Sequence, residues 1–426
     1  MAGSQMFRSL RNRNARWFFA GLAVSTIGTW LQLTAMSLLV FRLTGRATDV
    51  GINLLFQFTP MLLLGAWAGV VADRVSKQRM AMITQSALAA QALLLGILEL
   101  NGLVTLPVVY ALSAALGVIN AMDNPARRGF VIELVEPEDI SNSLALNTAV
   151  MTGSRIFGPT LAAALVKPLD SGWLFVINGL SFAAILVPIA LIDRSKLHIA
   201  PPAPRGGTPI RDALRFIRND PRLRSLLILF TIISTFAFNY SVSLLKLADQ
   251  RWGDQAYFGL VLGVTSIGSL AGSLFAAARP RMTAGYFLGS ALLLGTSGLA
   301  VAWAPNVFLA CLAGIPLGAG GAGLIASFNG VTQADSPPDM RGRMLALGAV
   351  AFLGSTPIGA PITGVIADRI SAEWSLAYGS IITLVCVAFG WRSRSRRLAV
   401  PADQHEPVAA SVHDADGRGL VIEGGG

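Results

Sequence analysis

The sequence predicts an all-α membrane protein: twelve transmembrane helices arranged as two pseudo-symmetric six-helix bundles. Three observations carry that expectation. The chain of 426 residues is 53% hydrophobic and only 13% charged, where a soluble globular protein carries roughly 25% charged residues. Its apolar residues gather into uninterrupted runs near the ~20 residues that a hydrocarbon core of ~30 Å requires. And a pattern in the fifth run returns in the eleventh, at an offset near half the chain.

Taken in order, the runs fall at about 17–41, 50–71, 80–100, 104–122, 143–166, 172–192, 225–245, 256–278, 284–303, 306–327, 344–366 and 374–391. A barrel would instead show ~10-residue stretches of strict alternation. The first run is followed by no small-residue cleavage pattern, so it is expected to remain as an anchor. Trp17, Trp173, Trp252, Trp303, Trp374 and Trp391 fall near predicted ends, where amphipathic rings favour the headgroup zone.

Lysine and arginine set the expected orientation. With the N-terminus inside, 26 of the 33 cations fall in inward loops and termini, and 6 in outward loops. That bias places both termini in the cytoplasm of a bacterial inner (plasma) membrane. It also explains the net charge of +10 without nucleic acid. The expected division is a first bundle at 1–192, a linker at 193–224, a second bundle at 225–391 and a structureless polar tail at 392–426. Within the linker, Ile210, Leu214, Phe216 and Ile217 have the spacing of a short amphipathic helix lying on the membrane surface.

Ala145-Leu146, Ala149-Val150, Gly153-Ser154 and Gly158 recur as Ala346-Leu347, Ala349-Val350, Gly354-Ser355 and Gly359, each 200 or 201 residues on. A duplication of equal topology is how the halves of one transporter fold are related. Cys311 and Cys386 sit in apolar runs, while His198, His405 and His413 lie in polar segments. No metal site or cofactor is expected from them, and a membrane-embedded enzyme would need a clustered constellation that this chain does not offer.

Between the second and third runs stands Gly69-Val70-Val71-Ala72-Asp73-Arg74-Val75-Ser76-Lys77-Gln78-Arg79. It resembles the loop signature of the major facilitator superfamily, with Ser76 where glycine is usual. Gly153 to Ala163 in the fifth run, with Gly158-Pro159, resembles the antiporter motif of facilitator exporters, alanines replacing its last glycines. Small residues there allow close helix packing. Asp123-Asn124-Pro125-Ala126-Arg127-Arg128, leading on to Arg155, resembles the group containing the enterobactin exporter and macrolide-efflux-like transporters. The resemblance spans about 7–395. It implies two bundles, alternating access, protons as coupling ion and a small extruded molecule such as a drug, macrolide or siderophore. It does not decide against an importer or a non-transporting sensor of the same fold. A monomer is expected.

Arg155 lies about twelve residues into its run, ~18 Å deep. A charge there costs at least ~2.5 kcal/mol, so it must face the interior. It serves either a substrate or coupling, or it is a structural hydrogen-bond donor. Gln32, Asn53, Gln57, Asn239 and Tyr240 are its candidate companions in a cavity, with Asn53 and Gln57 sharing one helix face. By the expected boundaries no acid falls deep in a run, Glu99 and Asp123 lying near ends. A cytoplasmic gate is expected from Asp73, Lys77 and Asp123, held together while the cavity faces outward and weakened when Asp123 is protonated. Arg74 and Arg79 complete that motif.

Overall fold

The computed structural model describes residues 8–192, 197–198, 209–279, 281–337 and 340–398. Twelve helices among them are long and apolar enough to cross a membrane. We call the face carrying Arg13, where the first span starts, basal and the opposite face distal.

Span one, Arg13–Thr44, begins at Asn12, whose side chain accepts the backbone N–H of Asn14 at 2.9 Å. It ends at Gly45, whose φ of +65° is the left-handed geometry that glycine adopts without strain. Two residues therefore suffice to reverse the chain into span two, Ala47–Arg74. Ser76 then caps span three, Lys77–Leu100, its hydroxyl accepting from the Arg79 N–H. The serine that departs from the family signature thus supplies a helix cap.

Span four differs from the sequence expectation. It runs Leu106–Glu133, about eleven residues beyond the expected end. At 1.5 Å per residue its 28 residues measure ~42 Å, so its basal part projects past a ~30 Å core. Asp123 therefore lies within the helix and is 3% exposed. The expected end of this span at 122 is overturned, because the polar stretch 123–128 is helical and packed and forms no loop.

Spans five and six share the stretch Ile140–Ser181 and are separated by a break at Asp170, where φ is +57° and ψ 161° and the chain reverses. Span six continues through Ala183–Leu191. Span seven is interrupted too: Pro221–Ala237, then Tyr240–Gln250, with Phe238 and Asn239 between. Spans eight to twelve are Ala256–Ala277, Ala284–Ala302, Val307–Ala334, Arg341–Arg369 and Ala372–Leu398. The last helix carries seven residues of the expected tail, and 399–426 lie outside the described residues.

The linker helix is Pro209–Asn219. Its apolar face packs on protein as well as facing outward. Ala213 and Ile217 join Leu223, Met344 and Leu347 in one buried cluster, and Asp212 pairs with Arg343 at 3.2 Å. Leu214 stays exposed. Most of the linker before it lies outside the described residues.

The internal repeat reappears as equal packing. Gly158 of span five lies against the backbone of Trp30 and Leu31 in span one, and Gly359 of span eleven against Thr235 and Asn239 in span seven. Across the halves, Gly51 and Gly364 join span two to span eleven at Ala360 and Ala47. Their counterparts Gly259 and Gly263 join span eight to span five at Pro159, Ala163 and Thr160. A side chain at these positions would collide with the opposing helix, which is the reason glycine serves there.

Candidate functional site

Arg155 is exposed on span five although the helix around it is largely apolar. Its guanidinium lies over the Trp30 ring, 4.9 Å from the centroid. Its charge also reaches the hydroxyl of Tyr240, the first residue after the break in span seven. Among the described residues no carboxylate pairs with it. The arrangement is a cation in an aromatic frame, contributed by spans one and five of the first half and span seven of the second. An unpaired cation at that depth is held by hydration or by a bound partner. Asn239, in the break itself, is buried and donates to Thr235 O at 2.8 Å, one turn back.

The other candidate amides turn into the first bundle. Gln32 donates to Gln91 at 2.9 Å and accepts from Asn178, and Gln91 donates on to Leu112 O. All three amides are buried. Together they tie spans one, three, four and six. Asn53 accepts from the Ser113 hydroxyl at 2.6 Å, joining spans two and four. Gln57 is buried on the same face, with Gly117 packed on its backbone. Gln91→Leu is expected to leave Gln32 without its acceptor and to cost about 1–3 kcal/mol of stability. Thermal unfolding in detergent checks this, and the transport rate of the surviving folded protein should be unchanged.

At the basal ends, Lys77 pairs with Glu133 at 3.1 Å. Its stem crosses span four over Gly129, where any Cβ would press on it. Asp123 is engaged elsewhere. It accepts from Thr84 and Gln85 of span three, each at 2.8 Å, and from Arg127 of its own helix at 3.2 Å. The structure therefore does not bring Lys77 and Asp123 together, and the Asp73 side chain lies outside the described residues. Arg74 and Arg79 are exposed. Gly69 of the loop motif and Gly65 one turn before it face open space, as does Gly153 of span five, where a Cβ would meet nothing within 4 Å; Gly158 alone of these motif glycines packs on a neighbouring span. Among the described residues no group of three His, Cys, Asp or Glu side chains could hold a metal ion.

The distal ends are closed. Asp368, at the end of span eleven, accepts the backbone N–H groups of Ala47 at 3.0 Å and Thr48 at 2.7 Å, and the Thr48 hydroxyl at 2.7 Å. Lys246 of span seven adds an ion pair to Asp368 at 3.0 Å and donates to Gly45 O. Arg46 gives span two no side-chain cap, so a carboxylate from the other half caps that helix. Trp30, Lys246 and Asp368 were given no role from sequence, and Arg127 entered only as part of the motif at 123–128.

The sequence model of a family described as transmembrane secretion effector matches residues 4–422. The chain is 25% identical to the MFS-type transporter YfiS of Bacillus subtilis over 386 residues, covering 86% of this chain and 88% of that one. It is 23% identical to macrolide efflux protein A of Streptococcus pyogenes, over 87% and 93% of the two chains. A bacterial homologue of the human lysosomal transporter Spinster, solved in an inward-facing, unoccupied conformation, superposes with a TM-score of 0.66. That likeness covers 90% of this chain and 98% of the other at 14% identity, and it speaks to the fold.

Proposed function

The chain belongs to the transmembrane secretion effector family of major facilitator transporters, and on that premise we propose that it exports a small hydrophobic or amphipathic molecule by alternating access, in exchange for protons. Members of the family and the relatives found are transporters and not enzymes. The observation that carries this reading is the asymmetry between the two faces. Distally, glycine-mediated contacts and Asp368 hold the halves together, whereas Gly65 and Gly69 toward the basal end of span two face open space. Arg155, Trp30 and Tyr240 stand between, where a solute entering from the basal side would meet a cation and two aromatic faces. Such a wall suits an amphipathic solute with an anionic or carbonyl group toward Arg155. The named activity of the streptococcal relative makes macrolides the first class to try.

In this reading the chain works as a monomer in a bacterial inner membrane, with the basal face and both termini cytoplasmic. The two bundles, 1–192 and 225–391, rock about the cavity while the linker helix rides on span eleven. Inverted vesicles energised by respiration are expected to accumulate erythromycin, an amphipathic organic cation or a hydroxycarboxylate siderophore, and to lose the gradient when a protonophore is added. Accumulation of none of these would overturn export, and accumulation indifferent to the protonophore would remove proton exchange. Orientation has its own test, in a chain whose Cys311 and Cys386 are replaced by alanine. In intact cells a membrane-impermeant thiol reagent is expected to label Gln250→Cys on the distal face and to spare Arg281→Cys on the basal face. The reverse pattern would invert the assignment.

A further inference from the structure

Asp123 is the buried acid that the gate reading leaves unexplained. It sits about ten residues inside the basal end of span four, and no loop charge reaches it. Its Oδ1 accepts from the Thr84 hydroxyl and from Gln85 Nε2, and its Oδ2 from Arg127 Nε. Arg127 is buried as well, and its remaining nitrogens turn to Asn124 Oδ1 at 3.1 Å and Met151 Sδ of span five at 3.4 Å. One atom in this cluster is out of place: Gln85 Oε1 is buried and has no hydrogen-bond partner, although Gln85 as a residue is only 4% exposed. Buried amide oxygens without partners are uncommon and call for a reason.

A carboxyl that gains a proton on Oδ1 needs an acceptor there in place of a donor. Half a turn of the Gln85 amide supplies one: Nε2 swings away and Oε1 accepts from the new Oδ1–H. The atom orphaned in one state is the acceptor in the other, so one side chain serves both. We propose that Asp123 is a proton-binding site, with Gln85 as its two-position partner and Arg127 as the charge it releases. The proton binds at Oδ1 and no other bond changes. The ion pair with Arg127 becomes an ordinary hydrogen bond, which frees the guanidinium toward Met151 and span five. Arg155 lies one helical turn past Met151, so the site adjoins the cavity wall through span five.

The charges on the packed helices are committed elsewhere or distant. On span three, Lys77 is held by Glu133 and Arg79 is exposed near the helix start, while Glu99 at the distal end pairs with Arg42. On span two, Asp49 lies at the distal end with Arg46, and Arg74 is exposed at the basal end. Span one contributes Arg13 and Arg16, both exposed at its start, and span five only Arg155 near this depth. Arg127 is thus the single charge in direct contact with Asp123 among the described residues.

The proposal rests on the proton-exchange reading for its purpose, but its first test does not. Infrared difference spectra of the purified full-length protein in phospholipid bilayers, recorded across a pH titration, report each protonated carboxyl by its C=O stretch. The wild type is expected to show on acidification a band from a buried carboxyl that Asp123→Asn lacks. In Gln85→Leu, where the acid has lost its acceptor, that band is expected to move to higher frequency. Spectra unchanged by either substitution overturn the proposal; if Asp123→Asn does not fold, an unmoved band in Gln85→Leu overturns it alone. Asp123→Asn should also lose proton-driven erythromycin accumulation in inverted vesicles, and wild-type accumulation by that variant would overturn the site's part in coupling. Failure of the wild type to transport would instead strike the proposed function and leave the spectra standing.

Discussion

Asp368→Ala is expected to open the distal face, shifting the balance between the two conformations at least tenfold toward the outward-open one. The carboxylate makes three hydrogen bonds across the boundary between the halves, to the start of span two, while Lys246 of its own half pairs with it and donates across the boundary to Gly45 O. The pair is mostly dry: the side chains are 11% and 14% exposed. What parts with the bundles is the set of hydrogen bonds from span two to the carboxylate; a hydrogen bond to a charged group contributes about 1.5–3 kcal/mol, and 1.4 kcal/mol already changes a population ratio tenfold. The loss falls on the distal-closed state, because water satisfies every one of these groups once the bundles part. Lys246→Met should act in the same direction. Arg251→Ala is the control, since Arg251 and Glu373 pair within the second half. Distances between spin labels on the distal ends of the two bundles are expected to lengthen in the first two variants and not in the control. An unchanged distribution in Asp368→Ala would remove this lock.

The twelve spans were legible because lipid imposes its demand on single segments, and each apolar run states its case alone. The half-chain repeat was legible for a related reason: identical packing of span five on one and eleven on seven keeps small residues in identical register, as at Gly158 and Gly359. Pairings were not legible. Lys77 had several acids within reach of any loop model, and its partner is Glu133, reached over Gly129, because span four continues past the expected end. Asp123 read as a residue at the end of span four, since the stretch that follows it is polar in sequence. In space Arg127, Thr84 and Gln85 satisfy it, so the helix can carry it inside. The amides failed differently. A buried glutamine can point into a cavity or into its own bundle at equal cost in sequence, and Gln32 took the second course with Gln91 and Asn178.

Arg155→Ala is expected to abolish accumulation of the transported solute while leaving the protein as stable as the wild type or more so. The two halves of that statement come from one fact: among the described residues the guanidinium has no carboxylate partner, only the Trp30 ring at 4.9 Å and the nearby Tyr240 hydroxyl. Span five begins at Ile140, so Arg155 lies about fifteen residues and ~22 Å along it. Holding a charge at such depth costs at least ~2.5 kcal/mol on insertion scales, and the contact with tryptophan returns ~0.5–2 kcal/mol. Removing the charge therefore relieves the folded state. A residue kept for stability would show the opposite sign, which separates the two roles open to Arg155. In binding, a hydrogen bond to a charged group contributes about 1.5–3 kcal/mol, so affinity should fall roughly 10- to 100-fold. Arg155→Lys should recover little, because the ammonium neither stacks on Trp30 as a plane nor offers a two-pronged donor. Trp30→Ala should weaken transport less, since it loosens the guanidinium without removing it. Paired measurements of unfolding temperature and vesicle accumulation decide. A variant that is less stable and transports normally would make Arg155 a structural donor.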